Sequence, residues 1–153
     1  MDDLARVLAA HPFFADLPPA HLALLVGCAT NTRLPAGAFL CRTGEEADRF
    51  YLLRAGKVAL EILPPGCEPV VVQTLRDGEI LGWSWLVPPH QWSFDAVAVE
   101  ETRAIVLDGA CLRGKCEADH DLGYELLRRF AIVIAERLEA TRLQLLDVYR
   151  PRS

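Results

Sequence analysis

Short apolar or alternating runs, separated by glycine or proline about every 8 to 12 residues, fill the middle of the chain. Their length and their two-residue alternation are those of β-strands with one buried face. The runs are AFLCR (38–42), RFYLLR (49–54), KVALEIL (57–63), PVVVQTL (69–75), FDAVAVE (94–100) and TRAIVLD (102–108). This arrangement is typical of a small all-β sandwich or barrel, which we expect over residues 31–108.

Helical periodicity replaces the alternation at both ends of the chain. Near the start, it predicts helices over residues 2–10 and 20–29, joined by a turn that plugs two aromatic side chains into the core. Near the end, it predicts one helix over 109–120 and a longer one over 121–149. We therefore expect a single domain in which N-terminal helices (1–30), a β-barrel (31–108) and C-terminal helices (109–153) follow one another.

The long C-terminal helix carries the most regular apolar pattern. Its positions alternate in steps of three and four residues, which is the a/d pattern of a coiled coil. The seam comprises Tyr124, Leu127, Ala131, Ile134, Leu138, Thr141, Leu145 and Val148. A second apolar set on another face comprises Leu126, Phe130 and Val133. We expect the second set to pack on the barrel, and the seam residues from Leu127 to Val148 to form the interface of a homodimer. The alternative is that both sets form one wide apolar face that packs on its own domain.

Composition and charge narrow the class of protein. The 153 residues are 52% hydrophobic and 24% charged, which fits one folded domain. The net charge of −5 argues against direct contact with nucleic acid or an anionic membrane. Two aspartates follow Met1, and the longest uncharged stretches are shorter than the roughly 20 residues that span a bilayer. We therefore expect a cytoplasmic protein.

Five cysteines are present: Cys28, Cys41, Cys67, Cys111 and Cys116. Their odd number and wide spacing argue against a disulfide framework or a zinc site. We expect reduced thiols, most of them buried as small apolar side chains.

A glycine turn, a strand, a glycine with an acidic tetrad, an aromatic strand and a second glycine turn follow one another in PAGAFLCRTGEEADRFYLLRAGKVALEIL (35–63). This order resembles the cyclic nucleotide-binding domain family, which includes protein kinase A regulatory subunits and catabolite-activator-type regulators. The matching positions are Gly37, Gly44, Asp48, Tyr51 and Gly56. The resemblance implies a mainly β fold with flanking helices, a jelly-roll β-barrel with short N-terminal helices and a long C-terminal helix. It also implies a non-catalytic regulatory or sensor domain.

The family holds its ligand in a short cassette, where a glutamate takes the ribose hydroxyl and an arginine pairs with the cyclic phosphate. The matching stretch, residues 77–102, contains no arginine or lysine. Aligned with the family, Gly82 stands at the cassette glycine, Trp83 at the glutamate and Trp92 at the arginine. Losing the bidentate charged pair costs about 3–6 kcal/mol, or roughly 10²–10⁴-fold in affinity. We therefore expect no cofactor, and no cAMP or cGMP bound in the family's usual way.

Aromatic side chains replace the charged anchors, and all three tryptophans lie within ten residues. One hypothesis is that they fill the vacated pocket. A second is a rebuilt pocket for an uncharged flat ligand, with Ser84 and His90 as polar contacts. A third is residual or altered nucleotide binding. The candidate ligand-binding residues are Gly82, Trp83, Ser84, Trp85, His90, Trp92, Ser93 and Phe94.

Catalytic and metal-binding alternatives find little support in the sequence. A cupin-type metal site needs several histidines, and only His90 falls in the barrel sequence. No nucleophile elbow, Walker loop or dinucleotide fingerprint occurs. The acidic cluster at 116–125 is explained by helix capping. We expect neither an enzyme nor a metal site, and DNA binding only if a partner supplies it.

Overall fold

Two four-stranded antiparallel sheets form between residues 2 and 150, the part of the chain that the computed structural model describes. The strands are β1 (Ala29–Leu34), β2 (Phe39–Cys41), β3 (Arg49–Ala55), β4 (Val58–Ile62), β5 (Val70–Leu75), β6 (Ile80–Leu81), β7 (Asp95–Ala98) and β8 (Thr102–Asp108). One sheet has the order β1-β8-β3-β6 and the other β2-β7-β4-β5. The predicted mainly β class with flanking helices is confirmed.

Helices cover one side of the first sheet. They are α1 (Asp2–Ala10), α2 (Pro19–Val26), α3 (Gly109–Ala118) and α4 (His120–Tyr149), with a short 3-10 turn at Pro12–Phe14. Phe13 and Phe14 of this turn are buried, as predicted for the aromatic pair. In the described residues, no helix is long and apolar enough to cross a membrane.

The central strands of the first sheet, β3 and β8, are buried on both faces, which explains why they read as nearly continuous apolar runs. Along β3, Tyr51 and Leu53 join one core cluster, whereas Phe50 and Leu52 join another. We call the cluster between the two sheets the barrel core; its buried members are Leu40, Cys41, Ala47, Tyr51, Leu53, Val58, Leu60, Leu75, Leu81, Trp92, Ala96, Ala98 and Ala104. We call the cluster between the first sheet and the helices the helix-side core; Phe14, Phe50, Trp85, Ile105, Leu126 and Phe130 are among its buried members.

Glycines at two predicted turns adopt the left-handed backbone expected of them. The φ angles are +88° at Gly44 and +120° at Gly56. A Cβ at Gly56 would lie 2.5 Å from the Thr102 Oγ1, so this turn also needs the missing side chain.

The prediction that the cysteines are reduced thiols is wrong for one pair. Cys28, which directly precedes β1, forms a disulfide with Cys111 in the first turn of α3, and their Cα atoms are 5.7 Å apart. These residues are 83 positions apart in the chain, and the antiparallel pairing of β1 with β8 brings them together, because Ala29 lies opposite Leu107 and the Asp108 N–H donates to the Cys28 carbonyl at 3.0 Å. Cys41, Cys67 and Cys116 are free.

The cassette segment and the long helix

The cassette segment, residues 82–94, connects β6 to β7 and begins at a glycine with a left-handed backbone. Gly82 has a φ of +100°. A Cβ there would lie 2.6 Å from Trp92 Cη2 and 2.9 Å from Cζ3, well inside van der Waals contact. The indole of Trp92 therefore lies directly on the glycine, and the absence of a side chain at residue 82 makes room for it.

Trp92 belongs to the barrel core and is 2% exposed. Its neighbour Phe94 packs against the same cluster, with the two ring centroids 5.9 Å apart. The Trp92 Nε1 has no hydrogen-bond partner among the described residues. Burying an unpaired N–H costs about 1–3 kcal/mol, so the packing of the indole must outweigh that cost.

Backbone hydrogen bonds fasten the Trp92 end of the cassette to the loop between β2 and β3. The Trp92 N–H donates to the Glu45 carbonyl at 2.9 Å, and the Gly44 N–H donates to the Trp92 carbonyl at 2.8 Å. The Ala47 N–H donates to the His90 carbonyl at 2.7 Å. The loop between β2 and β3 thus fixes the backbone of Trp92, whose indole lies in the barrel core.

The other two tryptophans lie on the opposite side of the first sheet. Trp85 is fully buried in the helix-side core, where its ring centroid lies 6.3 Å from that of Phe50 and 5.8 Å from that of Phe130. Trp83 is half-buried against the same cluster. The three tryptophans predicted as one group are therefore divided between two cores.

Two arginines connect the cassette to the C-terminal helices. Arg113 of α3 donates to the Trp85 carbonyl. Arg137 of α4 donates to the Ile80 carbonyl and places its guanidinium 5.2 Å from the centre of the Trp83 ring. Burial lowers the pKa of Arg137, although Glu79 and Glu136 oppose that shift. Neither arginine was a sequence candidate, because an arginine in a helix gives no sign that a neighbouring loop desolvates it.

The remaining candidates lie in the outer part of the segment. Ser84 is half-buried, Ser93 is exposed, and His90 is half-buried with a left-handed φ of +58°. Three surface clefts have volumes of about 410, 210 and 630 Å³. His90 lines the largest of these, and Trp92 lines none of them.

The long helix α4 presents two different faces. Leu126 and Phe130 are 1% and 2% exposed, and Val133 packs against the helix-side core, which confirms the predicted packing face. The predicted seam lies on the other face and is exposed in the single chain: the exposed fraction is 55% for Leu127, 49% for Leu138 and 76% for Val148. From residue 138 to residue 149 every side chain of the helix is exposed.

The acidic cluster at the start of α4 serves as a cap, as predicted. The Asp119 carboxylate accepts hydrogen bonds from the Asp121 and Leu122 N–H groups at 3.1 and 3.2 Å. Asp121 lies in the first turn of the helix. Glu125 makes ion pairs with Arg128 and Arg129 at 3.1 and 3.6 Å.

Comparison with known proteins defines the class. The family model for the cyclic nucleotide-binding domain matches residues 31–119, from β1 through the cassette to the end of α3. The chain belongs to the cyclic nucleotide-binding domain family.

Relatives with known descriptions include regulators of transcription. A CRP-like cAMP-activated global transcriptional regulator of Mycobacterium tuberculosis is 25% identical over 143 residues, which are 94% of this chain and 62% of the regulator. The catabolite activator protein of Thermus thermophilus is 25% identical with a TM-score of 0.71, over 90% of this chain and 63% of that one. A cyclic nucleotide-binding domain from Methylobacillus flagellatus shares the fold, with a TM-score of 0.81 at 18% identity over 99% of this chain and 85% of that one. The chain thus spans about six tenths of the length of the two regulators.

Proposed function

We propose that this chain is a non-catalytic, homodimeric regulatory domain that does not bind cAMP or cGMP in the usual way of its family. We place its action in the cytoplasm, as the sequence leads us to expect. The observation that carries the proposal is the burial of Trp92 in the barrel core, directly against Gly82. An indole in this position occupies space inside the barrel and brings no positive charge to a phosphate.

The energy needed to open such a pocket supports the proposal. Removing a large buried aromatic side chain from its core costs about 3–5 kcal/mol. If a ligand had to displace Trp92, its apparent affinity would fall by the fraction of open molecules, roughly 10²–10⁴-fold. The missing charged pair would weaken binding further, so we expect dissociation constants for cyclic nucleotides above the millimolar range.

Isothermal titration calorimetry with cAMP and cGMP tests this part of the proposal. The wild type should give no saturable heat up to millimolar ligand. Trp92→Leu should also give none, because it makes space without adding charge, and Trp92→Arg, which puts the positive charge of the family pattern at the same position, serves as the matched comparison. Micromolar affinity of the wild type would contradict the proposal.

The exposed seam of α4 supports the homodimer. The seam residues that we assign to the interface are Leu127, Ala131, Ile134, Leu138, Thr141, Leu145 and Val148. A 30-residue helix is about 45 Å long, and its last turns bury nothing against their own domain. Leaving this many apolar side chains in water is costly, and a second α4 packed along the seam would cover them.

Light scattering on variants tests the dimer. Ile134→Glu with Leu138→Glu places four carboxylates at the seam of a dimer and should give monomers. Leu143→Glu with Leu146→Glu is the matched control, because these residues are exposed but lie at outer heptad positions. A wild-type monomer at micromolar concentration would refute the seam, as would equal effects of the two double variants.

A further inference from the structure

A cleft of about 630 Å³ lies between the cassette loop, the second half of α3 and the first turns of α4. Leu86 and His90 border it from the loop, Arg113 from α3, and Tyr124 and Leu127 from α4. Its volume falls within the range of small-molecule sites. The cleft is on the outside of the barrel, so it remains available while Trp92 fills the interior.

The charged group best placed to hold a ligand is Arg113. One of its guanidinium nitrogens donates to the Trp85 carbonyl, and the residues described here provide it with no further hydrogen bond and no ion pair. A guanidinium has five N–H donors in a planar fork, so donors remain for a second acceptor. The Trp85 contact fixes the orientation of the fork, which lowers the entropy lost when a carboxylate binds.

His90 is held at the border of the cleft by its backbone. Its N–H donates to the Val87 carbonyl at 3.0 Å, and its carbonyl accepts from the Ala47 N–H at 2.7 Å. A φ of +58° is uncommon for a residue other than glycine, and these two bonds maintain it. The imidazole, which can donate a hydrogen bond, therefore stays at the border of the cleft.

The rest of the lining decides the class of ligand. Leu86 and Pro88 on one side and Tyr124 and Leu127 on the other provide apolar surface suited to a flat ring. Glu117 also borders the cleft, so a single carboxylate is better matched to the local charge than a dianionic phosphate. We propose that this cleft binds a small planar monocarboxylic acid, with its carboxylate on Arg113 and its ring between the loop and α4.

The test compares 2-naphthoate with the neutral 2-naphthalenemethanol by calorimetry, using the full chain. The carboxylate should bind at least tenfold more tightly than the alcohol. Arg113→Gln should remove that difference, and Arg142→Gln, at an exposed arginine further along α4, should leave it intact. Circular dichroism identifies a variant that fails to fold.

A second variant keeps the proposal falsifiable if Arg113→Gln unfolds the chain. Tyr124 is 64% exposed, so Tyr124→Ala leaves the core intact and should weaken 2-naphthoate binding at least threefold. Amide chemical-shift changes should fall in the loop at 86–90 and in residues 113–127. Equal affinity for the acid and the alcohol would overturn the proposal. So would shifts confined to the barrel core or no effect of Tyr124→Ala, and each of these results is independent of whether cAMP binds.

Discussion

Gly82→Ala is the change that most directly tests the contact between the cassette glycine and Trp92. The new Cβ would lie 2.6 Å from the indole, and alanine would have to adopt a φ of +100°. The backbone conformation alone costs about 1–2 kcal/mol for an L-residue. The overlap with a packed ring adds about 1–3 kcal/mol, as is typical of overpacking.

Trp92→Leu separates these two contributions. Leucine fills less of the barrel core and does not reach the atoms of the indole that lie on residue 82, so this variant alone should lose about 2–4 kcal/mol through poorer packing. In the double variant the overlap is gone, but the backbone cost at residue 82 remains. The double variant should therefore be about 1–3 kcal/mol more stable than the sum of the single effects predicts.

Urea denaturation of the wild type, Gly82→Ala, Trp92→Leu and the double variant, followed by circular dichroism, measures this coupling energy. Gly78→Ala serves as a control, because it has a similar φ of +83° and its Cβ would lie 3.3 Å from Pro12 rather than against the indole. Its effect should add to that of Trp92→Leu. If the Gly82→Ala and Trp92→Leu effects also add within about 0.5 kcal/mol, Trp92 does not occupy the position on which the proposed function depends.

Three further predictions concern stability and thiol chemistry. Cys28→Ser with Cys111→Ser should lower the free energy of unfolding by about 2–4 kcal/mol, since the disulfide closes a loop of 83 residues; a reductant should do the same to the wild type and nothing to the variant. Burial lowers the pKa of His11 below 6.5, and its neutral ring accepts from the Phe13 N–H and donates to the Leu53 carbonyl. His11 therefore binds a proton more readily in the unfolded chain, so the free energy of unfolding should fall as the pH drops below 6.5. The fall should be smaller in His11→Gln. Urea midpoints that fall equally in the wild type and in His11→Gln would contradict this prediction. Burial raises the pKa of Cys41 to about 12, so mass spectrometry after iodoacetamide treatment at pH 8 should find the exposed Cys67 alkylated and Cys41 unmodified.

The sequence predicted those elements whose side-chain pattern is regular. The runs at 49–54 and 102–108 became β3 and β8, and the two-faced pattern of α4 placed Leu126 and Phe130 on the packing face. β1 was not among the predicted runs, because ATNTRL at the edge of a sheet is mostly polar. β6 has only two residues, too few to show any alternation.

The candidate site was harder to predict, because the cassette is irregular and shows neither the two-residue period of a strand nor the 3.6-residue period of a helix. Nearness in sequence suggested that Trp83, Trp85 and Trp92 form one group. Yet β6 directs Ile80 to the helix-side core and Leu81 to the barrel core, and the chain that follows supplies tryptophans to both. The Cys28–Cys111 disulfide and the Arg113 and Arg137 contacts depend on long-range packing in the same way.

The proposed cleft and the proposed dimer meet at Leu127. This residue borders the cleft and is the first residue of the proposed interface, one helical turn after the seam residue Tyr124, which also borders the cleft. A second α4 lying along the seam would add apolar surface beside the open side of the cleft, so we expect the dimer to bind 2-naphthoate more tightly than the monomer. Because each dimer contains two clefts, linkage then requires saturating 2-naphthoate to lower the dimer dissociation constant by the square of the gain in affinity per cleft. Sedimentation equilibrium with and without 2-naphthoate measures the change in the dimer dissociation constant. An unchanged constant would show that the cleft and the seam act independently.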